Sequence, residues 1–136
     1  MTVSDTRLRR RARERAVQFL FGLEFTEYGW QSAIEAFWEA NPARRAAVEY
    51  AERLIQGVVD HRAELDTSIE SVLEQWSLRR LGRIERNVIR VALYEMRYCG
   101  VPAKVAINEA IELARAYGPD EAPAFVNGVL DRLKEN

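Results

Sequence analysis

Glycine and proline are scarce in this sequence, and most of them fall between stretches with a helical repeat of apolar residues. Alternating runs rich in Val, Ile and Thr, which are typical of half-buried strands, do not occur. Because an amphipathic helix needs an uninterrupted repeat and a strand needs alternation, this arrangement predicts an all-α chain.

The repeats and their interruptions predict about seven helices. We expect them at about 5–25, 30–40, 43–61, 63–75, 83–98, 103–117 and 123–134, with a short turn over 78–81 capped by Ser77. The clearest stop follows Tyr117, where glycine marks the helix end and proline lies just beyond it. The connections are short, so we predict one compact helical domain over residues 1–136.

Positive charge is concentrated at the N-terminus. Residues 7–15 contain six arginines, and residues 1–15 carry an excess of four positive charges although the whole chain has a net charge of −1. The rest of the chain is therefore acidic. A basic end on an acidic body predicts an acidic partner for that end alone.

The arginines continue an amphipathic helix. At about 100° per residue, one apolar stripe contains Leu8, Ala12, Ala16, Phe19, Leu20 and Leu23. The opposite side contains Arg7, Arg10, Arg11, Glu14 and Gln18. The projection therefore predicts a basic helical face with its apolar side turned to the core.

Val17 and Phe21 fall outside that stripe, one helical turn apart and beside charged residues. Two interpretations stay open for them. They form an exposed apolar strip that suits a protein partner, or the second helix covers Phe21.

A second set of arginines occurs at Arg79, Arg80, Arg83, Arg86, Arg90 and Arg97. The last four project within about 60° of one another, opposite an apolar side. This ridge is either an ordinary solvated face or a second site for nucleic acid, since guanidinium groups bind phosphates and stack on bases.

Residue sets for catalysis or metal binding are lacking. His61 is the only histidine and Cys99 the only cysteine, which leaves no nucleophile relay, metal set or disulfide framework. We expect the inward-projecting Glu95 and Glu109 to bond to backbone ends or to an arginine. The sequence also lacks a glycine-rich phosphate loop, a membrane span and a secretion signal. These features predict a cytoplasmic protein that is not an enzyme and has no cofactor or metal.

Three stretches together carry a family resemblance. "RRRARERAVQFLF" (9–21), "IERNVIRVALYEM" (84–96) and "VPAKVAINEAIELARAYGPDEAPAFVNGVLDRL" (101–133) resemble segments of the NusB transcription antitermination factor family. The resemblance spans nearly the whole chain. It implies an all-α fold of two small helical bundles packed together, and a non-enzymatic RNA-binding function.

The resemblance also implies partners. Members of the family pair with NusE, a small-subunit ribosomal protein, and the pair recognises single-stranded boxA RNA, chiefly in ribosomal RNA operons. With other Nus factors it helps RNA polymerase resist termination. Two alternatives stay open: a homodimer that buries these faces, and a NusB-like docking domain of an rRNA methyltransferase.

The family's functional residues carry over by position. The resemblance implies RNA contacts at Arg9, Arg10, Arg11, Arg13, Lys104 and Phe125. It implies NusE contacts at Phe21 and Glu85, beside the Val17 position suggested by the projection. The family often has tyrosine where Phe21 stands and a basic residue where Ala124 stands, so this chain is expected to lack one hydroxyl hydrogen bond and one cationic group.

Overall fold

The computed structural model describes residues 3–23, 29–73 and 81–134, and the regular elements in these ranges are all helical. They are α1 (Val3–Leu23), α2 (Ile34–Ala40), α3 (Arg45–Asp60), α4 (Arg62–Ser71), α5 (Arg83–Tyr98), α6 (Ala103–Tyr117) and α7 (Ala122–Leu133), with a 3₁₀ turn at Trp30–Ser32. The all-α prediction is confirmed. The turn predicted over 78–81 falls, apart from Leu81, outside the described residues.

The helix predicted over 30–40 is divided. Its first residues form the 3₁₀ turn because the backbone N–H and the hydroxyl of Ser32 both donate to the carbonyl of Gly29, at 3.3 and 2.8 Å. These bonds close a three-residue spacing instead of the α-helical four-residue spacing. The α-helix proper therefore begins only at Ile34.

The chain divides into two compact units, Met1–Gln56 and Gly57–Asn136. In the first unit, side chains link the three helices. The Phe19 and Phe37 rings of α1 and α2 meet edge to face, with centroids 5.2 Å apart. The indole Nε1 of Trp38 on α2 donates to a carboxylate oxygen of Glu52 on α3, at 2.8 Å. An edge-to-face ring pair and a hydrogen bond thus fix α2 against both of its neighbours.

In the second unit, α5 is the central helix. Residues 87–95 are all buried, and α5 contacts α4, α6 and α7. Fully buried aliphatic side chains such as Ile89 and Leu93 each contribute roughly 1.5–3 kcal/mol to folding. The helix ends as the sequence predicts: Gly100 takes a left-handed φ of +66°, and the Val101 N–H donates to the carbonyl of Glu95 at 3.2 Å.

Helices α3 and α5 approach closely at Gly57. A Cβ atom built there would lie only 1.9 Å from Cζ of Tyr94, so the tyrosine ring occupies the space that a side chain would need. Tyr94 in turn stacks on Tyr98, with centroids 5.2 Å apart. The Tyr98 hydroxyl donates to the carboxylate of Glu64 at 2.6 Å, and this bond raises the pKa of the phenol above its ordinary value.

Candidate functional site

The first turns of α1 present an exposed basic face. Arg7, Arg10 and Arg11 are exposed, on the side of the helix opposite the fully buried Ala12 and Ala16. Arg11 lies 3.9 Å from a carboxylate oxygen of Glu14, one helical turn away, at the surface of the helix. Such a pair contributes little free energy, so it leaves Arg11 available to an anionic ligand.

Arg9 differs from its neighbours because an aromatic ring holds it. Its guanidinium carbon lies 5.0 Å from the ring centroid of Tyr50 on α3, within the range of a cation–π interaction. Both side chains are half-buried. Tyr50 is not among the residues predicted from the sequence. A signal for this contact was available, since Arg9 projects between Ala16 and Leu20, inside the apolar stripe that faces the neighbouring helices.

Arg13 does not belong to the exposed face. Only 3 % of it is accessible, although the family resemblance implies an RNA contact at this position. Arg13 projects between Leu20 and Val17, which are both buried, so the buried arc of α1 includes it. The structure thus places Arg13 inside the chain, and the RNA contact that the resemblance implies at this position stays a prediction.

The predicted apolar strip is only half present. Phe21 is 38 % exposed, but Val17 is 1 % exposed, so the prediction that Val17 offers surface to a partner is wrong. The buried positions of α1 span about 160° at 100° per residue, which is wider than the predicted stripe and reaches Val17. Phe21 projects beyond the edge of this arc.

Glu85 lies in the first turn of α5 and is half-buried. Its carboxylate oxygens lie 2.7 and 2.8 Å from the position that a Cβ atom would take on Gly82, the residue that caps the helix. The carboxylate therefore curls back over the helix N-terminus, where negative charge is favourable. The absence of a side chain at Gly82 makes room for it.

Lys104 and Phe125 belong to the second unit, whereas the arginines of α1 belong to the first. Lys104 is exposed in the first turn of α6. Phe125 is half-buried near the start of α7, between the exposed Ala124 and the fully buried Val126. Part of the Phe125 ring thus remains accessible, which a stacking role requires.

The second arginine ridge is not a continuous solvated face. Arg90 is 3 % exposed and its guanidinium binds the Asp66 carboxylate of α4 through two hydrogen bonds, at 2.7 and 3.0 Å. A third bond, at 3.2 Å, joins it to Asn87. Helix α4 covers this side of α5, so Arg90 is internal and paired. Arg79 and Arg80 lie outside the described residues.

Within the described ranges, no group of three or more His, Cys, Asp and Glu side chains is arranged to hold a metal ion. In the same part of the chain, no helix is both long and apolar enough to cross a membrane.

The fold and the basic face define a class: a small all-helical protein with an exposed cationic helix suited to a polyanionic ligand. The family model of the NusB family matches residues 10–135 of the 136-residue chain. The chain belongs to the NusB family.

Known proteins are similar over nearly the full length. A transcription antitermination protein NusB of Anaeromyxobacter sp. (strain Fw109-5) is 46 % identical over 126 residues, which cover 92 % of this chain and 88 % of the relative. The solved structure of T. maritima NusB is 35 % identical, with a TM-score of 0.84, and the match covers 94 % of this chain and 91 % of that one. A chain from the crystal structure of the antitermination factors NusB and NusE in complex with dsRNA is 29 % identical, with a TM-score of 0.85 and coverages of 95 % and 97 %.

Proposed function

We propose that this protein is a non-catalytic antitermination factor that binds boxA-type single-stranded RNA together with NusE. The complex then acts with other Nus factors to make RNA polymerase resist termination, mainly in ribosomal RNA operons. The observation that carries the proposal is the exposed basic face of α1 on a chain whose net charge is −1. The solved structure of related NusB and NusE in complex with dsRNA supports both partners.

The charge distribution favours RNA over a general anionic surface. Arg10 and Arg11 are exposed on a rigid helix, while the remainder of the chain is acidic and repels a polyanion. The electrostatic attraction for a polyanion is therefore concentrated on this face. Single-stranded RNA also offers unstacked bases, to which the half-buried ring of Phe125 presents a stacking surface, and Lys104 adds a phosphate contact.

Phe21 and Glu85 support a protein partner. Phe21 is a large apolar side chain with 38 % of its surface exposed. Glu85 presents a carboxylate held over the start of α5. An aromatic anchor and a positioned charge are features of residues that dominate binding at protein interfaces.

The test is fluorescence anisotropy of a labelled boxA strand. The protein is titrated alone and with NusE, against a scrambled strand and against a duplex of the same sequence, at two salt concentrations. We expect binding that prefers the boxA strand and tightens with NusE. Binding that is indifferent to sequence and to NusE would contradict the proposal and favour a docking module or an occluded homodimer, which sedimentation would identify.

Phe21→Ala tests the partner surface separately. We expect NusE affinity to fall about tenfold or more, because a truncated aromatic anchor typically costs at least ~1.4 kcal/mol. Affinity for RNA in the absence of NusE should change little. Calorimetric titration with NusE measures the first effect, and Val17→Ala is the matched control, since Val17 is buried. Equal loss of both affinities would show that Phe21 supports the fold.

A further inference from the structure

A groove lies between α1 and α3 in the first unit, and of the residues that line it only Arg9 is among the RNA contacts implied by the resemblance. Its volume is about 450 Å³. Leu8 and Arg9 line it from α1, and Ala46, Tyr50 and Arg53 from α3. The lining of the groove thus includes apolar side chains, an aromatic ring and two guanidinium groups.

Arg9 and Tyr50 are paired in this groove. The Arg9 guanidinium carbon lies 5.0 Å from the ring centroid of Tyr50, which is the distance of a cation–π contact. Holding the group against a ring reduces the conformational entropy that it loses when a ligand binds. A nucleobase can stack on a guanidinium plane, so the pair is a preformed platform.

The groove lining carries two guanidinium groups, of Arg9 and Arg53, and two carboxylates, of Asp5 and Glu49. Arg53 is exposed at its edge. Glu49, which also lines the groove, is engaged by Arg45, with Nε and Oε1 3.2 Å apart. Asp5, the other acidic residue of the lining, takes part in an interaction of its own within the chain. Arg53 therefore remains available to a phosphate group.

We infer that this groove is a nucleotide subsite for single-stranded RNA, in which a base stacks on the Arg9 guanidinium backed by Tyr50 and a phosphate contacts Arg53. The inference rests on the proposed function, because it extends the same RNA path from the exposed face of α1 onto α3. The ligand is RNA because the subsite is continuous with Arg10 and Arg11 on the same helix. A single strand is required because a base in a duplex does not expose its face.

The first test compares four variants in RNA binding by the protein with NusE. Tyr50→Leu keeps the bulk but removes the ring, and we expect about five- to tenfold weaker binding, whereas Tyr50→Phe keeps the ring and stays within about twofold. Arg53→Ala lowers the salt slope of the binding constant by about 0.7. The control Arg44→Ala removes the same charge from an exposed position just before α3, outside the groove, and leaves that slope nearly unchanged.

Tyr50 is half-buried, so its variant needs a control for stability. Phe37→Leu removes another aromatic ring from the same unit. If Phe37→Leu weakens RNA binding as much as Tyr50→Leu does, the effect is structural and the inference fails. Thermal unfolding of each variant shows whether it is folded at the assay temperature.

A second measurement needs no substitution. A 4-thiouridine RNA strand is crosslinked to the wild-type complex with ultraviolet light, and the product is digested with trypsin. Trypsin cleaves after Arg45 and after Arg53, so residues 46–53 are released as one peptide. We expect RNA on this peptide, at Tyr50. Crosslinks confined to peptides of α1 and α7 would overturn the inference, as would a Tyr50→Leu variant that binds RNA normally.

The two proposals fail in different ways. If the wild-type complex binds no RNA, the proposed function fails and the subsite with it. If the complex binds RNA and the groove variants bind equally well, only the subsite fails. Loss of NusE binding by Tyr50→Leu in the absence of RNA, with RNA affinity intact, would make the groove a protein surface and refute the subsite.

Discussion

Arg11 and Arg13 are two positions apart on α1 but differ in exposure, and alanine substitution should affect them in different ways. Arg11 is exposed, whereas Arg13 is 3 % exposed and engaged inside the chain. We expect Arg11→Ala to weaken RNA binding without loss of stability. We expect Arg13→Ala to destabilise the fold.

The expected loss is one of RNA affinity for Arg11→Ala and one of folding free energy for Arg13→Ala. Removing one cationic side chain from a phosphate of a single strand lowers the salt slope of the binding constant by about 0.7. Between 50 and 200 mM salt, the ratio of wild-type to Arg11→Ala affinity should therefore shrink about two- to threefold. For Arg13, removal of a buried charged group leaves its partner unsatisfied, which costs about 2–4 kcal/mol. That cost shifts the urea midpoint by roughly 1–2 M.

Two measurements separate these effects. Fluorescence anisotropy at both salt concentrations gives the slope for each variant, and urea unfolding followed by circular dichroism gives the midpoint. Arg13→Met, which keeps most of the buried volume, shows how much of the loss is due to the charge and its hydrogen bonds. Arg10→Ala repeats the Arg11 experiment at a second exposed position.

One pattern of results would refute the reasoning from burial. If Arg13→Ala unfolds at the wild-type midpoint and lowers the salt slope as Arg11→Ala does, then Arg13 contacts RNA directly. The buried arc of α1 would then be narrower in solution than the structure shows. A wild-type slope for Arg11→Ala would remove Arg11 from the RNA-binding face.

Three further predictions concern the second unit. Phe125→Ala should weaken RNA binding by about 1–3 kcal/mol, measured by fluorescence anisotropy, and leave the melting temperature nearly unchanged. If the variant is unfolded, Phe125 is a core residue and not a stacking residue. Gly82→Ala should displace the Glu85 carboxylate and lower the affinity for NusE, measured by calorimetry, without unfolding the protein. An unchanged affinity would mean that the position of the Glu85 carboxylate does not matter for NusE binding. Asp66→Ala should lower the free energy of unfolding in urea by about 3 kcal/mol, since it leaves Arg90 buried and unpaired, and a cost below ~1 kcal/mol would contradict that pairing.

Most helix positions could be predicted from local sequence. Helix α5 occupies 83–98 as expected, because apolar periodicity defines its interior and Gly100 and Pro102 follow its end. The terminal residues differ more. Helix α1 begins at Val3, two residues before the predicted start, since ends depend on capping and fraying more than on periodicity.

Exposure was harder to predict than secondary structure. A helical projection gives the centre of the buried side, but the width of that side depends on how many neighbours pack against it. Helix α1 contacts both α2 and α3 in its own unit, and the buried arc reaches Arg13 and Val17. The partner of Arg90 is Asp66, 24 positions away on another helix, which no local pattern indicates.

The close contact between Gly57 and Tyr94 restricts which substitutions this sequence can accept during evolution. Alanine at position 57 would place a methyl group inside the tyrosine ring, and that ring is 8 % exposed and stacked on Tyr98, so it has nowhere to move. Mutational tolerance at position 57 is therefore set by position 94. A library that varies both positions should recover larger residues at 57 only together with smaller ones at 94, so the two sites can diverge only as a covarying pair.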